Sequence, residues 1–167
     1  MKLLTSLCNF LCNCLLQAKA SLCYYLVKLD LNTNILWSYM TAYNRKILIV
    51  EDDDALQLLY KLKFKHEGFD VSTATNGNEG LELAKSFEPD IMLVDLLLPE
   101  MNGTEMLSLI RSHQWGSNIR VIIITNISKD EAPQALRFFN IDRYVVKAHF
   151  TPAQIVDIVR DVLGDKS

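Results

Sequence analysis

Five short apolar runs, each followed by a stretch of helical periodicity, constrain this chain more than any other feature. "KILIV" (46–50), "FDVSTA" (69–74), "DIMLV" (90–94), "RVIIIT" (120–125) and "RYVV" (143–146) are rich in β-branched residues and too short to be helices. Between them, apolar side chains recur at helical spacing. Ala55, Leu58, Leu59 and Leu62 mark the buried face of a first helix, which Gly68 stops. Leu81, Ala84 and Phe87 point a second helix inward until Pro89 bars its continuation. Asn102-Gly103 turns into a third helix with Met106, Leu107 and Ile110 on one face. Ala135, Leu136 and Phe139 predict a fourth helix ending near Asn140, a residue type that tolerates the left-handed cap. The fifth opens on Thr151-Pro152-Ala153-Gln154, a capping box with proline at the first helical position. Ile155, Ile158, Val159, Val162 and Leu163 form its buried face. Strands this apolar need cover on both faces, so the pattern predicts an α/β fold with a parallel sheet between two helix layers. Right-handed crossovers make it a doubly wound sheet.

The first 39 residues differ from the rest. Their charges are three Lys and one Asp, against 14 basic and 19 acidic residues from 40 onward. All four cysteines (Cys8, Cys12, Cys14 and Cys23) lie there, without zinc-site spacing or a nearby histidine. The opening stretch resembles a secretory signal peptide, but Thr5, Ser6, Asn9, Asn13 and Gln17 dilute its apolar core, and it falls short of a membrane span. "MTAYNRKILIV" enters a strand within a few residues of Met40. The reading placed first is therefore a domain over 40–167, with 1–39 an upstream extension from start-site assignment. A signal peptide or anchor comes second. The net charge of -3 argues against a protein that holds nucleic acid by bulk charge.

In doubly wound sheets, function gathers at the carboxyl ends of the strands. Here those ends carry Glu51 and Asp52, then Asp95, Thr125 and Lys147. Singly, each has an ordinary explanation. "EDDD" is commonly a solvated helix N-terminus, Asp95 a cap, Thr125 filler and Lys147 a surface lysine. Four such groups at four strand ends of one fold instead describe a site. A buried carboxylate needs a partner, and three carboxylates on short rigid elements suit Mg²⁺. Asp95 is then both ligand and nucleophile, able to take a phosphoryl group. Lys147 and Thr125 supply positioning and charge neutralisation.

"KILIVEDDDALQLL", "PDIMLVDLLLPEMNG", "VIIITN" and "DRYVVKAHFTP" resemble the blocks of a response-regulator receiver domain of two-component signalling, over about residues 45–164. The resemblance implies a five-stranded flavodoxin-like sheet in the order 2-1-3-4-5. It makes Asp95 the phosphoacceptor. Glu51, Asp52, Asp95 and the backbone carbonyl of Leu97 become Mg²⁺ ligands. Thr125 and Lys147 contact the phosphoryl group, and Tyr144 matches the aromatic switch that follows Thr125. The implied donor is a histidine kinase or histidine phosphotransfer protein. The implied output is a protein partner on the surface of helix four, strand five and helix five. The expected setting is cytoplasmic, because an ATP-using kinase works there. With the chain given ending at Ser167 after the last helix, the expectation is a stand-alone regulator without a DNA-binding output domain, one that is not a dedicated enzyme beyond self-catalysed phosphorylation and dephosphorylation.

Departures from the family pattern are specific. Ala148 follows the lysine where a proline with a cis bond is usual, and a cis bond before alanine costs roughly 2.5–4 kcal/mol, so a trans bond is expected. Asn126 replaces the usual small residue and narrows access to Asp95. Leu97 and Ile127 are apolar where they flank the phosphoryl group, which predicts hindered water attack. Two other functions compete. A hydrolase with an aspartate nucleophile commonly carries a second acid two residues later, where Leu97 stands. A receiver-like binding module without phosphorylation is the alternative that Ala148 and Asn126 keep open.

Overall fold

A computed structural model describes residues 45–165 of the chain. The extension over 1–39 and the start at Met40 lie outside the described residues. Within them runs a five-stranded sheet of order β2-β1-β3-β4-β5, every pairing parallel, as the resemblance implies. The strands are β1 (Lys46–Val50), β2 (Asp70–Ala74), β3 (Ile91–Val94), β4 (Arg120–Thr125) and β5 (Arg143–Val146). The α-helices are α1 (Asp54–His66), α2 (Gly77–Phe87), α3 (Gly103–Ser112) and α4 (Pro152–Leu163). No helix of the described residues is long and apolar enough to cross a membrane.

Alternation along the strands divides the core in two. Ile47, Ile49, Ile91, Leu93, Ile122 and Val145 point to one face, under α1 and α4. Leu48, Val50, Met92, Val94, Val121 and Ile123 point to the other, under α2 and α3. The local stops are those expected. Gly68 takes a positive φ of 91° just beyond α1. Thr151 and Gln154 form the capping box of α4, with Pro152 at its start. Asn102 and Glu105 form a second box on α3.

Two expectations are corrected. The face of α1 that meets the sheet carries buried Tyr60 and Phe64, with Leu56 packed beside them. Leu58, Leu59 and Leu62 are 54%, 48% and 59% exposed, and Ala55 is exposed as well. The helix bears two apolar stripes, and the larger aromatic side chains take the core. The second correction concerns the predicted fourth helix. Between β4 and β5 lie two 3-10 turns, Lys129–Glu131 and Gln134–Phe138, instead of an α-helix. Pro133 sits between them, and a proline there has no N–H to carry an α-helix through. Asn140 does take the left-handed conformation, at φ 51°, but it closes a 3-10 segment. The expected fifth helix is α4 in the present numbering. Val156 joins its buried residues, and Ile158, Val162 and Leu163 are only partly buried.

Candidate phosphoacceptor site

The site follows from register. Val50 pairs with Val94, so the residues that follow, Glu51 and Asp95, leave the sheet side by side. Backbone bonds hold both in place. Glu51 N–H donates to Ala74 and Asp95 N–H to Val50, each at 3.0 Å. Thr125 pairs with Val146, which sets Lys147 one residue beyond. By alternation Glu51, Asp95 and Lys147 share the parity of Ile49, Leu93 and Val145. Thr125 shares that of Ile123 and approaches from the other face.

The acids converge. Glu51, Asp52 and Asp95 each offer a carboxylate oxygen, and these oxygens lie within 4.8 Å of one another. Asp52 is exposed, whereas Glu51 and Asp95 are buried, at 2% and 5%. Lys147 Nζ donates to the Glu51 carboxylate at 2.7 Å and to Asp95 Oδ2 at 2.5 Å. Leu97 N–H donates to Asp95 Oδ1 at 3.0 Å, which fixes the carboxylate from its other side. The remaining acids of the run have separate work. Asp53 is the N-cap of α1, accepting from Leu56 N–H at 2.9 Å, and Asp54 opens the first turn.

Burial pushes the Glu51 carboxyl above its ordinary value; Lys147 opposes the rise and Asp95 adds to it. Burial pulls the Lys147 ammonium down, but its bonds to Asp95 and Glu51 outweigh that, and it ends above the usual lysine value. Lys147 is therefore a fixed positive charge. Against three carboxylates it leaves an excess of two negative charges when all are ionised. Hard oxygen donors with that excess fit a divalent cation such as Mg²⁺.

Thr125 is fully buried, and its Oγ1 accepts from Ile127 N–H at 3.5 Å. Tyr144 is half-buried and donates from its hydroxyl to the Ile127 carbonyl at 3.1 Å. Burial, then the charge of Asp95, pushes the Tyr144 phenol up, so it remains a donor. Thr125 and Tyr144 thus both bond the backbone of Ile127 in the loop after β4, one at its N–H and the other at its carbonyl. Lys147–Ala148 is trans, as no described peptide bond is cis. The Leu97 side chain is 59% exposed, Ile127 is half-buried and Asn126 is exposed.

Three positioning residues escaped the sequence reading. Gln57 donates its side-chain amide to the carbonyls of Glu51 and Ala74, both at 2.9 Å, tying the ends of β1 and β2 together. Its place one turn into α1 gives no distinguishing signal. Tyr60 is buried on the face of α1 toward the site, where burial and the charges of Lys147, Glu51 and Asp95 act on its phenol. Gly103 starts α3 against Asp95 itself. A Cβ there would lie 2.2 Å from the Asp95 carbonyl oxygen. The glycine was visible as a turn residue, but not its packing.

Residues 47–160 match the family described as the response regulator receiver domain. The chain belongs to that family. Receiver domains are the phosphoacceptor modules of response regulators, and they work with histidine kinases or phosphotransfer proteins. Among curated relatives, regulatory protein AtoC of Escherichia coli is 39% identical over 109 residues, 65% of this chain and 23% of that protein. Transcriptional regulatory protein SrrA of Staphylococcus aureus is 34% identical over 122 residues, 72% of this chain and 48% of that one. The chain thus spans about half or less of the length of these relatives. Among solved structures, a CheY-like receiver domain from Methanospirillum hungatei superposes with a TM-score of 0.66 at 27% identity, covering 72% of this chain and 94% of that one. The Francisella response regulator 1452 receiver domain gives 0.64 at 27% identity, covering 71% and 96%.

Proposed function

We propose that this receiver takes a phosphoryl group on Asp95 from a histidine kinase or histidine phosphotransfer protein, in a Mg²⁺-dependent step, and signals through a change of protein partner. The observation that carries this is the seat of Asp95. It is a buried carboxylate gripped by an ammonium and a peptide N–H, with two further acids at its edge.

Glu51, Asp52, Asp95 and the Leu97 carbonyl are the groups proposed to hold the ion. When bound, it supplies neutralisation of the charge on the phosphoryl oxygens. The chain does the rest. A carboxylate oxygen of Asp95 attacks phosphorus, the P–N bond of the donor phosphohistidine breaks, and its electron pair returns to the imidazole. Lys147 is near enough to exchange its bond to Asp95 for one to a phosphoryl oxygen. In this reading Thr125 donates its hydroxyl to another. Any inward shift of Thr125 is transmitted through the Ile127 backbone to Tyr144, and so to the surface of the loop after β4, β5 and α4. That surface is the proposed output face. The same groups would catalyse the domain's own phosphorylation and dephosphorylation, without making it a dedicated enzyme. An ATP-using kinase donor places the reaction in the cytoplasm.

The test is transfer from a radiolabelled phosphohistidine protein to the full chain. Label should appear with Mg²⁺ and be absent in chelator and in Asp95→Asn. Label that reaches Asp95→Asn as readily as wild type would overturn the assignment. A folded wild-type protein that takes no label from any donor would favour the phosphorylation-independent binding module.

A further inference from the structure

Gln57, half-buried one turn into α1, bonds the backbone of Asp53, Glu51 and Ala74. Its own N–H donates to the Asp53 carbonyl at 2.8 Å, the first bond of the helix. Its side-chain Nε2 donates to the carbonyls of Glu51 and Ala74, each at 2.9 Å. Two acceptors facing one atom require the NH2 end of the amide, which has a proton for each. The Glu51 carbonyl lies one residue past the end of β1, where the strand ladder no longer supplies a donor, and Gln57 takes that place. The turn from Glu51 to Asp53 is therefore held at both ends by one residue, at its start by the side chain and at its end by the backbone. Two of the three carboxylates of the site sit in that turn. Lys147 grips Glu51 and Asp95 directly. Asp52 is exposed, and its place follows from the backbone of the turn.

On the Mg²⁺-dependent reading proposed above, on which this rests, we infer that Gln57 is a positioning residue for the cation, holding the turn so that Glu51 and Asp52 face Asp95 before the ion arrives. The three carboxylates offer oxygens within 4.8 Å of one another, and like charges at that range repel. The relaxation open to the turn is to swing Asp52 out into water. A tie on the backbone opposes that swing without taking up any ligand oxygen. Groups that orient metal ligands indirectly commonly change affinity by about 10–100-fold when lost. The side-chain bonds of Gln57 go to Glu51 and Ala74 carbonyls and leave Asp95 and Lys147 alone, so transfer itself is intact once the ion is bound. A neutral amide suits the position, since a lysine or arginine there would add positive charge beside a cation.

The test is calorimetric titration of Mg²⁺ into the full chain, wild type beside Gln57→Met, which keeps the length and neutrality of the side chain and removes both donors. The dissociation constant for Mg²⁺ should rise about tenfold or more. Transfer from a phosphohistidine protein should then need correspondingly more Mg²⁺ to reach half its maximal rate, and should match wild type when Mg²⁺ saturates. Gln57→Ala, which brings no bulk, should behave alike, and it takes over if circular dichroism shows the methionine variant unfolded. Glu67→Gln loosens the far end of the same helix, at its C-cap, and should leave the Mg²⁺ constant unchanged. A constant within about twofold of wild type in the Gln57 variants would overturn the inference and leave the proposed function standing. An equal rise in Glu67→Gln would also overturn it, by making the effect one of general loosening. A wild type that binds no Mg²⁺ would instead remove the reading beneath it.

Discussion

The unit that carries Asp95, β3 with α3, and the unit that follows it, β4 with the segment to Asn140, are built from similar sequence material and end differently. After β3 the chain makes a capped α-helix, with Asn102 and Glu105 closing its start and Met106, Leu107 and Ile110 fully buried. After β4 it makes two short 3-10 turns that bury Leu136 and leave Phe138 85% exposed. The second segment is held to the body by few ties. Arg111 donates to the Phe139 carbonyl at 2.7 Å, and Tyr144 donates to the Ile127 carbonyl. The contrast suits the two tasks. Under the proposed function, Asp95 must be held in one geometry for phosphoryl transfer, whereas the readout must have two arrangements of similar energy.

The largest expected effect comes from disturbing the rigid unit. Gly103→Ala drives a methyl group into the Asp95 carbonyl and should cost about 2–4 kcal/mol, seen in urea unfolding. A loss below about 0.5 kcal/mol would mean that α3 can shift away from the acceptor and that the unit is softer than described. Next is Lys147→Met. Removing the ammonium leaves Glu51 and Asp95 buried without their partner, and without metal should cost about 3 kcal/mol. Added Mg²⁺ should restore part of it, because binding to the folded state alone stabilises it. Thermal unfolding with and without Mg²⁺ checks both statements.

Against these, the loose unit should tolerate change. Pro133→Ala should alter stability by less than about 1 kcal/mol while raising amide protection over 134–139, as the block to a continuous helix is lifted. Hydrogen exchange that is unchanged there would show that something other than proline sets the 3-10 form. Leu97→Asn with Ile127→Glu should speed loss of the phosphoryl group without changing stability by more than about 0.5 kcal/mol. An unchanged decay rate would remove both side chains from the account of that step.

A further modest effect concerns the tie between α1 and α4. Glu67 accepts from Lys63 at 2.6 Å and from Arg160 at 2.7 Å. The Lys63 bond, followed by Arg160, outweighs burial and holds the Glu67 carboxyl below its ordinary value. A carboxyl depressed in the folded state stabilises above its unfolded pKa, and that contribution fades as pH falls through the folded one. Glu67→Gln should thus cost about 0.5–1 kcal/mol at neutral pH. The difference from wild type should close in acid, which urea titrations at several pH values would show.

Much of this was legible in the chain. The five strands could be read because fully buried parallel strands leave continuous apolar runs, and the acids, Thr125 and Lys147 because each ends such a run. The face of α1 could not be read, because it carries two apolar stripes and hydropathy does not say which fits the sheet. Leu58 and Leu59 looked like core; Tyr60 and Phe64 are core. The fourth helix was misread because Ala135, Leu136 and Phe139 satisfy helical spacing while Pro133, just before them, removes the backbone donor. Gln57 and Gly103 were missed because their roles are contacts to backbone, and backbone contacts leave no periodic trace.

The most direct measurement is intact mass of the full chain after acetyl phosphate and Mg²⁺, beside Asp95→Asn and a sample with chelator. The account predicts one added phosphoryl group in the wild type alone. An equal gain in Asp95→Asn, or in chelator, would contradict it.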